Sequence, residues 1–351
     1  MERVSVLAIT KNGIKIGLTL KELFPSWKIY APIKFSDDNS KINWYSEASG
    51  DKIAELFKTN DALICLFSLG AVIRLISPYM KDKKSDPAVI VIDDKTTFVI
   101  SVLSGHLGGA NKLTEEIAEK LNATPVITTA ADVNKTIAVD LLGREFGWKI
   151  DDDSNVTKIS AFMVNEEKIG VFQDAGSKDW WSKKLPNNVT IYSTIDELKN
   201  SESKGFLIIS DKIFEEEIQK NAVVYRHPSL VVGIGLHWDT TKETISEGLK
   251  SSLEKYSLST KSIAKFVSIK KKQDVIGLVD LAKEMDAPLE YFEKEELATI
   301  QTPNPSKTVQ AFEGTASVSE AAALKSSGGK LIVEKQKFPP NLTLAIARIA
   351  N

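Results

Sequence analysis

The sequence predicts an α/β protein, with layered α/β domains at both ends of the chain and a smaller α/β segment between them. Short apolar runs alternate with amphipathic stretches from the first residues, and the same alternation resumes after residue 229. Between these regions the pattern is broken by the polar cluster Asp151-Asp152-Asp153-Ser154-Asn155 and by Arg226-His227-Pro228-Ser229. At 351 residues the chain exceeds what one hydrophobic core serves well. The breaks divide it into a first module at 1–150, a variable middle module at 151–226 and a last α/β module at 227–351.

In the first module Val4–Thr10 reads as a strand, Gly13–Phe24 as a helix and Ala62–Phe67 as a buried strand. Gly70–Met80 is expected to be helical, since Val72, Ile73, Ile76 and Met80 recur at helical spacing. Strands follow at Ala88–Asp93 and Phe98–Leu103, a helix at Asn111–Leu121, a strand at Pro125–Thr128 and a helix at Asn134–Phe146. This order favours a largely parallel sheet. The middle module offers strands at Ile169–Gln173, Val189–Tyr192 and Phe206–Ile209. The last module reads as strands at Leu230–Ile234, Ala264–Ile269, Lys330–Glu334 and Leu344–Ile349, with helices at Thr241–Leu253, Val275–Met285 and Ser317–Lys325. Thr302-Pro303-Asn304-Pro305-Ser306 is expected to be an exposed, mobile loop.

Composition narrows the partners. Lys plus Arg (45) nearly balances Asp plus Glu (47), leaving a net charge of −2 and no basic field for nucleic acid or an anionic membrane. The single cysteine, Cys65, lies in an apolar run and reads as a small buried hydrophobe. Met1-Glu2-Arg3-Val4-Ser5-Val6-Leu7 enters a strand pattern without a signal-peptide layout, and no apolar stretch approaches the ~20 residues that span a bilayer. A cytoplasmic protein with no nucleic-acid or membrane partner is expected.

The segment richest in chemistry is Ser101-Val102-Leu103-Ser104-Gly105-His106-Leu107-Gly108-Gly109-Ala110-Asn111, between a strand and a helix. Its glycines let backbone N–H groups approach a ligand, and the helix start suits an anion, whether polycarboxylate or phosphate. A turn that needs glycine only for its geometry explains the same residues. His106 could exchange protons near neutrality or could fix the loop. Arg74 and Lys83 could pair with carboxylates or be solvated surface. Thr128 and Thr129 could contact a ligand or cap a helix. In the last module Gly233 and Gly235 end a strand, and Ser317 with Glu320 has the spacing of a capping box. With one cysteine and three scattered histidines, no zinc site is expected.

Together these segments resemble the cobalt-precorrin 5A hydrolases, the CbiG proteins. The N-terminal resemblance rests on Gly70-Ala71-Val72-Ile73-Arg74, Asp82-Lys83, Asp86-Pro87-Ala88-Val89, the run from Leu103 to Asn111, and Val126-Ile127-Thr128-Thr129-Ala130. The C-terminal resemblance rests on Leu230-Val231-Val232-Gly233-Ile234-Gly235, Ser317-Val318-Ser319-Glu320-Ala321-Ala322-Ala323-Leu324 and Thr343-Leu344-Ala345-Ile346-Ala347-Arg348. The chain departs from the family pattern at Leu236-His237, where Cys-Arg is common, at Val275, where an acidic residue is common, and at Thr96-Thr97, where Gly-Arg is common.

The resemblance implies opening of the δ-lactone of cobalt-precorrin 5A with release of acetaldehyde, giving cobalt-precorrin 5B. Cobalt would arrive with the substrate, so no cofactor or metal of the protein's own is expected. His106 and Ser104 are then the candidate catalytic residues. Arg74, Lys83, Gly105, Gly108, Gly109, Asn111, Thr128, Thr129, Gly233, Gly235, Ser317 and Glu320 are candidates for binding the carboxylate-rich macrocycle. The Gly108 and Gly109 N–H groups are candidate oxyanion donors. Expected partners are the cobalt tetrapyrrole and neighbouring pathway enzymes. A non-catalytic tetrapyrrole carrier and an α/β enzyme for a phosphorylated metabolite are the rival readings.

Overall fold

Runs such as Val-Ser-Val-Leu-Ala and Ala-Leu-Ile-Cys-Leu have no polar face, so the strands they form need cover on both sides of a sheet. A computed structural model of the chain, which describes residues 1–82, 85–134 and 136–350, provides that cover. The first of two units, Met1–Leu141, holds strands β1 (Val4–Ala8), β2 (Lys28–Pro32), β3 (Ile42–Tyr45), β4 (Ala62–Leu66), β5 (Ala88–Ile92), β6 (Phe98–Leu103) and β7 (Thr124–Val126). Its helices are α1 (Lys11–Leu23), α2 (Ser49–Thr59), α3 (Leu69–Ile76), α4 (Ala110–Leu121) and the single turn α5 (Ala130–Val133). Val6, Ala8, Ile64 and Leu66 pack under α1 and α4, whereas Leu7, Leu63 and Cys65 face α2 and α3. Cys65 is fully buried, which pushes its thiol far above the ordinary range and leaves it inert.

The sheet order is β3-β2-β1-β4-β5-β6-β7. From β3 to β5 every pair is parallel, the doubly wound arrangement. Strand β6 then reverses, with Val89 opposite Leu103 and Ile92 opposite Val99. The cause is local. Residues 93–97 are too few for a crossover and close as a hairpin turn, in which the Asp93 carboxylate accepts from the Phe98 N–H at 2.5 Å and the Lys95 N–H at 3.2 Å. Thr96 occupies the left-handed region (φ 55°), which glycine adopts most readily.

The helix expected over Asn134–Phe146 does not form; among its described residues only Arg144–Phe146 make a 3₁₀ turn. Ile137 and Val139 are buried at strand-like spacing, and Gly143 takes a φ of 73° with the Trp148 ring 1.8 Å from where a Cβ would stand. Side-chain burial and a glycine turn override the apolar periodicity there. The strand β2, strand β3 and helix α2, unassigned from sequence, fill the interval between residues 24 and 62.

The second unit runs from Leu142 onward. Its first sheet, in the order β10-β9-β11-β12-β8, contains β8 (Lys149–Ile150), β9 (Ile169–Gln173), β10 (Val189–Tyr192), β11 (Gly205–Ile209) and β12 (Ala222–Arg226), with helices α6 (Val156–Val164), α7 (Ile195–Lys199) and α8 (Glu216–Gln219). The expected first module extends to residue 150, yet Lys149 and Ile150 pair with β12 in this sheet. Its second sheet, in the order β15-β14-β13-β17-β16, contains β13 (Leu230–Leu236), β14 (Ile263–Ile269), β15 (Leu289–Phe292), β16 (Lys330–Phe338) and β17 (Leu342–Arg348). Helices α9 (Lys242–Lys255), α10 (Ile276–Glu284), α11 (Lys294–Ala298), α12 (Lys307–Glu313) and α13 (Val318–Ser327) accompany it.

The two polar clusters that read as linkers are structured. Arg226 is 1% exposed and donates to Asp151 Oδ2 at 2.5 Å and to the Ser210 carbonyl at 3.1 Å. Ser229 is buried, and its hydroxyl donates to Asp211 Oδ2 at 2.9 Å. Asp211 has no exposed side-chain surface and is held by Arg348 through Nε (2.7 Å) and Nη2 (2.6 Å). This bidentate pair joins the end of β11 to the end of β17, so the middle and last segments share one polar anchor. Removing one member of such a pair strands the other charge, which costs about 3–5 kcal/mol. Arg348→Met is therefore expected to lower unfolding free energy by that order, and Asp211→Asn/Arg348→Met by less; urea denaturation of the three proteins measures this.

Candidate active site

Strand β6 ends at Leu103 and the chain has to turn before α4 starts at Ala110. Ser104 (φ 56°) and Gly109 (φ 79°) make that turn in the left-handed region. It is closed by Gly109 N–H to the His106 carbonyl (3.0 Å), Ala110 N–H to the Ser104 carbonyl (3.2 Å) and Asn111 N–H to the Gly105 carbonyl (3.0 Å). A Cβ on Gly108 would stand 2.4 Å from Ser104 Cβ, so packing inside the turn demands glycine. The Gly109 N–H is thus spent on the turn and is no oxyanion donor. The Gly108 N–H makes no hydrogen bond among the described residues.

His106 projects from this turn with its side chain 15% exposed. Its Nε2 is 3.0 Å from Asp132 Oδ2 and its Nδ1 is 3.2 Å from Asp140 Oδ1. Both ring nitrogens can donate only when the imidazole is protonated. The hydrogen bond to Asp140 raises its pKa, burial opposes the rise, and Asp132 adds to it. A carboxylate at each ring nitrogen favours the protonated form of the ring. Asp132 is the more accessible of its polar partners. Its side chain is 42% exposed, and His106 and the Asn111 amide (2.6 Å) converge on Oδ2. Oδ1 makes no bond among the described residues.

Asn111 is 7% exposed and is fully engaged: Ser101 Oγ donates to its Oδ1 at 2.6 Å, and its Nδ2 donates to Thr129 Oγ1 at 3.0 Å as well as to Asp132. Asn111 and Thr129 therefore position Asp132. Thr128 is exposed beside them. Ser104 Oγ donates to the Asp86 carbonyl at 2.9 Å, an acceptor that cannot take its proton, so Ser104 latches the turn and has no base to make it a nucleophile. Arg74 is exposed on α3, whose apolar side packs on the sheet face opposite α4, and Lys83 lies outside the described residues. Asp132 and Asp140 escaped the sequence reading. The former stood in a run read for its hydroxyls and the latter in a segment read as helix.

The candidates in the second unit part company. Gly233 lies under α13, where a Cβ would meet the Ser319 carbonyl at 1.9 Å; it is a packing glycine. The capping box does not form. Ser317 makes no capping bond. Glu320, fully buried, accepts from Asn304 N–H (3.2 Å), Asn304 Nδ2 (2.8 Å) and Lys335 N–H (3.1 Å). That tie also anchors the 302–306 loop, expected to be free. Gly235 and Ser317 line a cavity of ≈ 420 Å³ beyond the carboxyl end of β13. Among the described residues no cluster of His, Cys, Asp and Glu could hold a metal ion, and no helix is long and apolar enough to cross a membrane.

These features define a multi-sheet α/β protein in which His106, Asp132, Asp140 and Asn111 form a polar cluster on a glycine turn. Its sequence matches the cobalamin synthesis G N-terminal family over residues 51–132, the cobalamin biosynthesis central region over 137–228 and the cobalamin synthesis G C-terminus over 230–347. The chain belongs to the cobalamin synthesis G family. It is 40% identical to a cobalt-precorrin-5A hydrolase of Priestia megaterium, covering 98% of this chain and 94% of that one. A cobalt-precorrin-5A hydrolase of Salmonella typhimurium is 28% identical over 99% of this chain and 98% of its own. A solved cobalamin biosynthesis protein G homolog from Sulfolobus solfataricus aligns over 99% of this chain and 98% of its own at 23% identity, with a TM-score of 0.39, too low to carry an argument.

The His106 environment makes a signed prediction. Its raised pKa means that the stabilisation is fully present below the unfolded value of ~6.5 and is lost as pH rises through the folded value. His106→Gln is expected to cost more stability at pH 5.5 than at pH 8.5. In an NMR titration of the ring, Asp140→Asn is expected to lower the His106 midpoint more than Asp132→Asn does.

Proposed function

We infer that the chain is a cobalt-precorrin-5A hydrolase, opening the δ-lactone of its substrate and releasing acetaldehyde. The observation that carries this is identity at 40% along nearly the full length of a hydrolase of that name, with Asp132, His106 and Asn111 all inside the N-terminal family match. On this reading Asp132 takes a proton from water as its oxygen attacks the lactone carbonyl. His106, itself fixed by Asp140, keeps Asp132 oriented. The Gly108 N–H is aimed at the oxyanion that develops. The acyl–oxygen bond breaks and the departing oxygen takes a proton; loss of that proton then forms the acetaldehyde carbonyl as its carbon–carbon bond to the macrocycle breaks, the macrocycle keeping the electron pair and gaining a proton. Cobalt comes and goes with the macrocycle, so the protein works without a metal or cofactor of its own. It acts in the cytoplasm, receiving its substrate from and passing its product to neighbouring enzymes of the route.

The test is incubation of the pure protein with cobalt-precorrin 5A and measurement of acetaldehyde. Turnover is expected. Asp132→Asn is expected to reduce kcat by about 10²–10⁴ with substrate affinity largely kept. His106→Gln is expected to reduce it less and to shift the pH–rate profile. A tight complex that never yields acetaldehyde would make the chain a carrier, and binding of a phosphorylated metabolite in place of the macrocycle would overturn both.

A further inference from the structure

The lining of the cavity beyond β13 includes the apolar residues Leu236, Ile269, Val309 and Val318. Its lining also includes Lys335, Lys337 and Thr343. Lys335 is the unusual member. Its half-buried ammonium donates to the Asn304 carbonyl and, at 3.2 Å, to Ser317 Oγ, both neutral acceptors. Glu320, the acid beside it, is bonded instead to the Lys335 backbone N–H and to Asn304. Burial lowers the Lys335 pKa, opposed by the charge of Glu320. The acid that does line the cavity, Glu313, is paired with Lys271 at 3.0 Å. The cavity thus holds a partly desolvated cation with no carboxylate paired to it among the described residues, in a lining that is also apolar. Trp238 and Phe312, next in the chain to the lining residues His237 and Glu313, are 73% and 85% exposed, and a large flat body outside the cavity would cover them.

We propose that this cavity binds a carboxylate side chain of the tetrapyrrole, with Lys335 as its ion-pairing residue and the exposed Trp238 and Phe312 against the ring system. The proposal rests on the tetrapyrrole reading above and adds a binding site in the second unit, distinct from the His106 cluster. A carboxylate entering here exchanges two neutral partners of Lys335 for a charge-assisted bond in a low-dielectric wall, where such bonds are strongest.

The probe is uroporphyrin, a tetrapyrrole with eight carboxylates, titrated against the intact chain by tryptophan fluorescence, with its octamethyl ester as the uncharged control. Wild type is expected to bind the acid and not the ester. Lys335→Met is expected to weaken binding about ten- to a hundredfold, and Lys335→Arg to retain most of it. Because Lys335→Met also removes bonds to Asn304 and Ser317, the exposed lining residue Thr308 supplies an independent variant: Thr308→Glu brings in a resident carboxylate and is expected to weaken binding at least about tenfold. Equal binding by wild type, Lys335→Met and Thr308→Glu, or no binding of uroporphyrin by wild type, overturns the site. Turnover of cobalt-precorrin 5A by wild type is measured beside it. Its absence with the binding pattern intact overturns the hydrolase reading and leaves the site standing.

Discussion

The primary amide of Asn111 is the constraint on which the candidate active site depends. It sits in the first turn of α4, almost wholly buried, and its hydrogen bonds reach Ser101 on β6, Thr129 after β7 and Asp132 on α5. Each partner comes from a different element, so one side chain sets the spacing of all of them. A buried amide has to satisfy both its carbonyl and its NH₂, which makes the arrangement close to all-or-none. The same amide accounts for Gly105, where a Cβ would lie 2.6 Å from Asn111 Oδ1. Glycine there makes room for the hub.

The position of that hub follows from one reversed strand. Doubly wound sheets bind ligands beyond the carboxyl ends of their parallel strands. The loop from Ser104 to Gly109 does follow the carboxyl end of its own strand, but β6 runs against β5. The cluster consequently lies at the amino ends of β1, β4 and β5, near Asp86, to whose carbonyl Ser104 is bonded. The short turn at residues 93–97 is what moves the site to this edge.

Buried carboxylates serve different ends in the two units. Asp211 and Glu320 are fully buried and fully bonded, to Arg348 and Ser229 in one case and to Asn304 and the Lys335 N–H in the other, so they hold structure and have no spare acceptor to offer. Asp132 is bonded on one oxygen and exposed, the condition of a group that can accept a proton. Exposure combined with a fixed orientation separates a reactive carboxylate from an anchoring one.

By itself the sequence determined the α/β class, most strands of both end segments, the burial of Cys65 and the glycine turn bearing His106. These are local matters: apolar runs of strand length require a covered sheet, and a Gly-rich stretch between strand and helix requires a turn. The strands β2 and β3, of five and four residues, are too short for their period to stand out and were not legible. Neither was the loss of the helix over Asn134–Phe146, where the turn at Gly143 is packed against the Trp148 ring from outside the segment. Ser317 and Glu320 had the right spacing for a capping box, yet Glu320 is claimed by Asn304 and Lys335, residues distant in sequence. Only the tertiary structure could bring Asp132 and Asp140 to opposite nitrogens of His106, because residues 26 and 34 positions apart meet through the path of α4, β7 and α5 and not through any spacing. The residue type of the imidazole was written in the chain; its charge, and therefore its chemistry, was set by the fold.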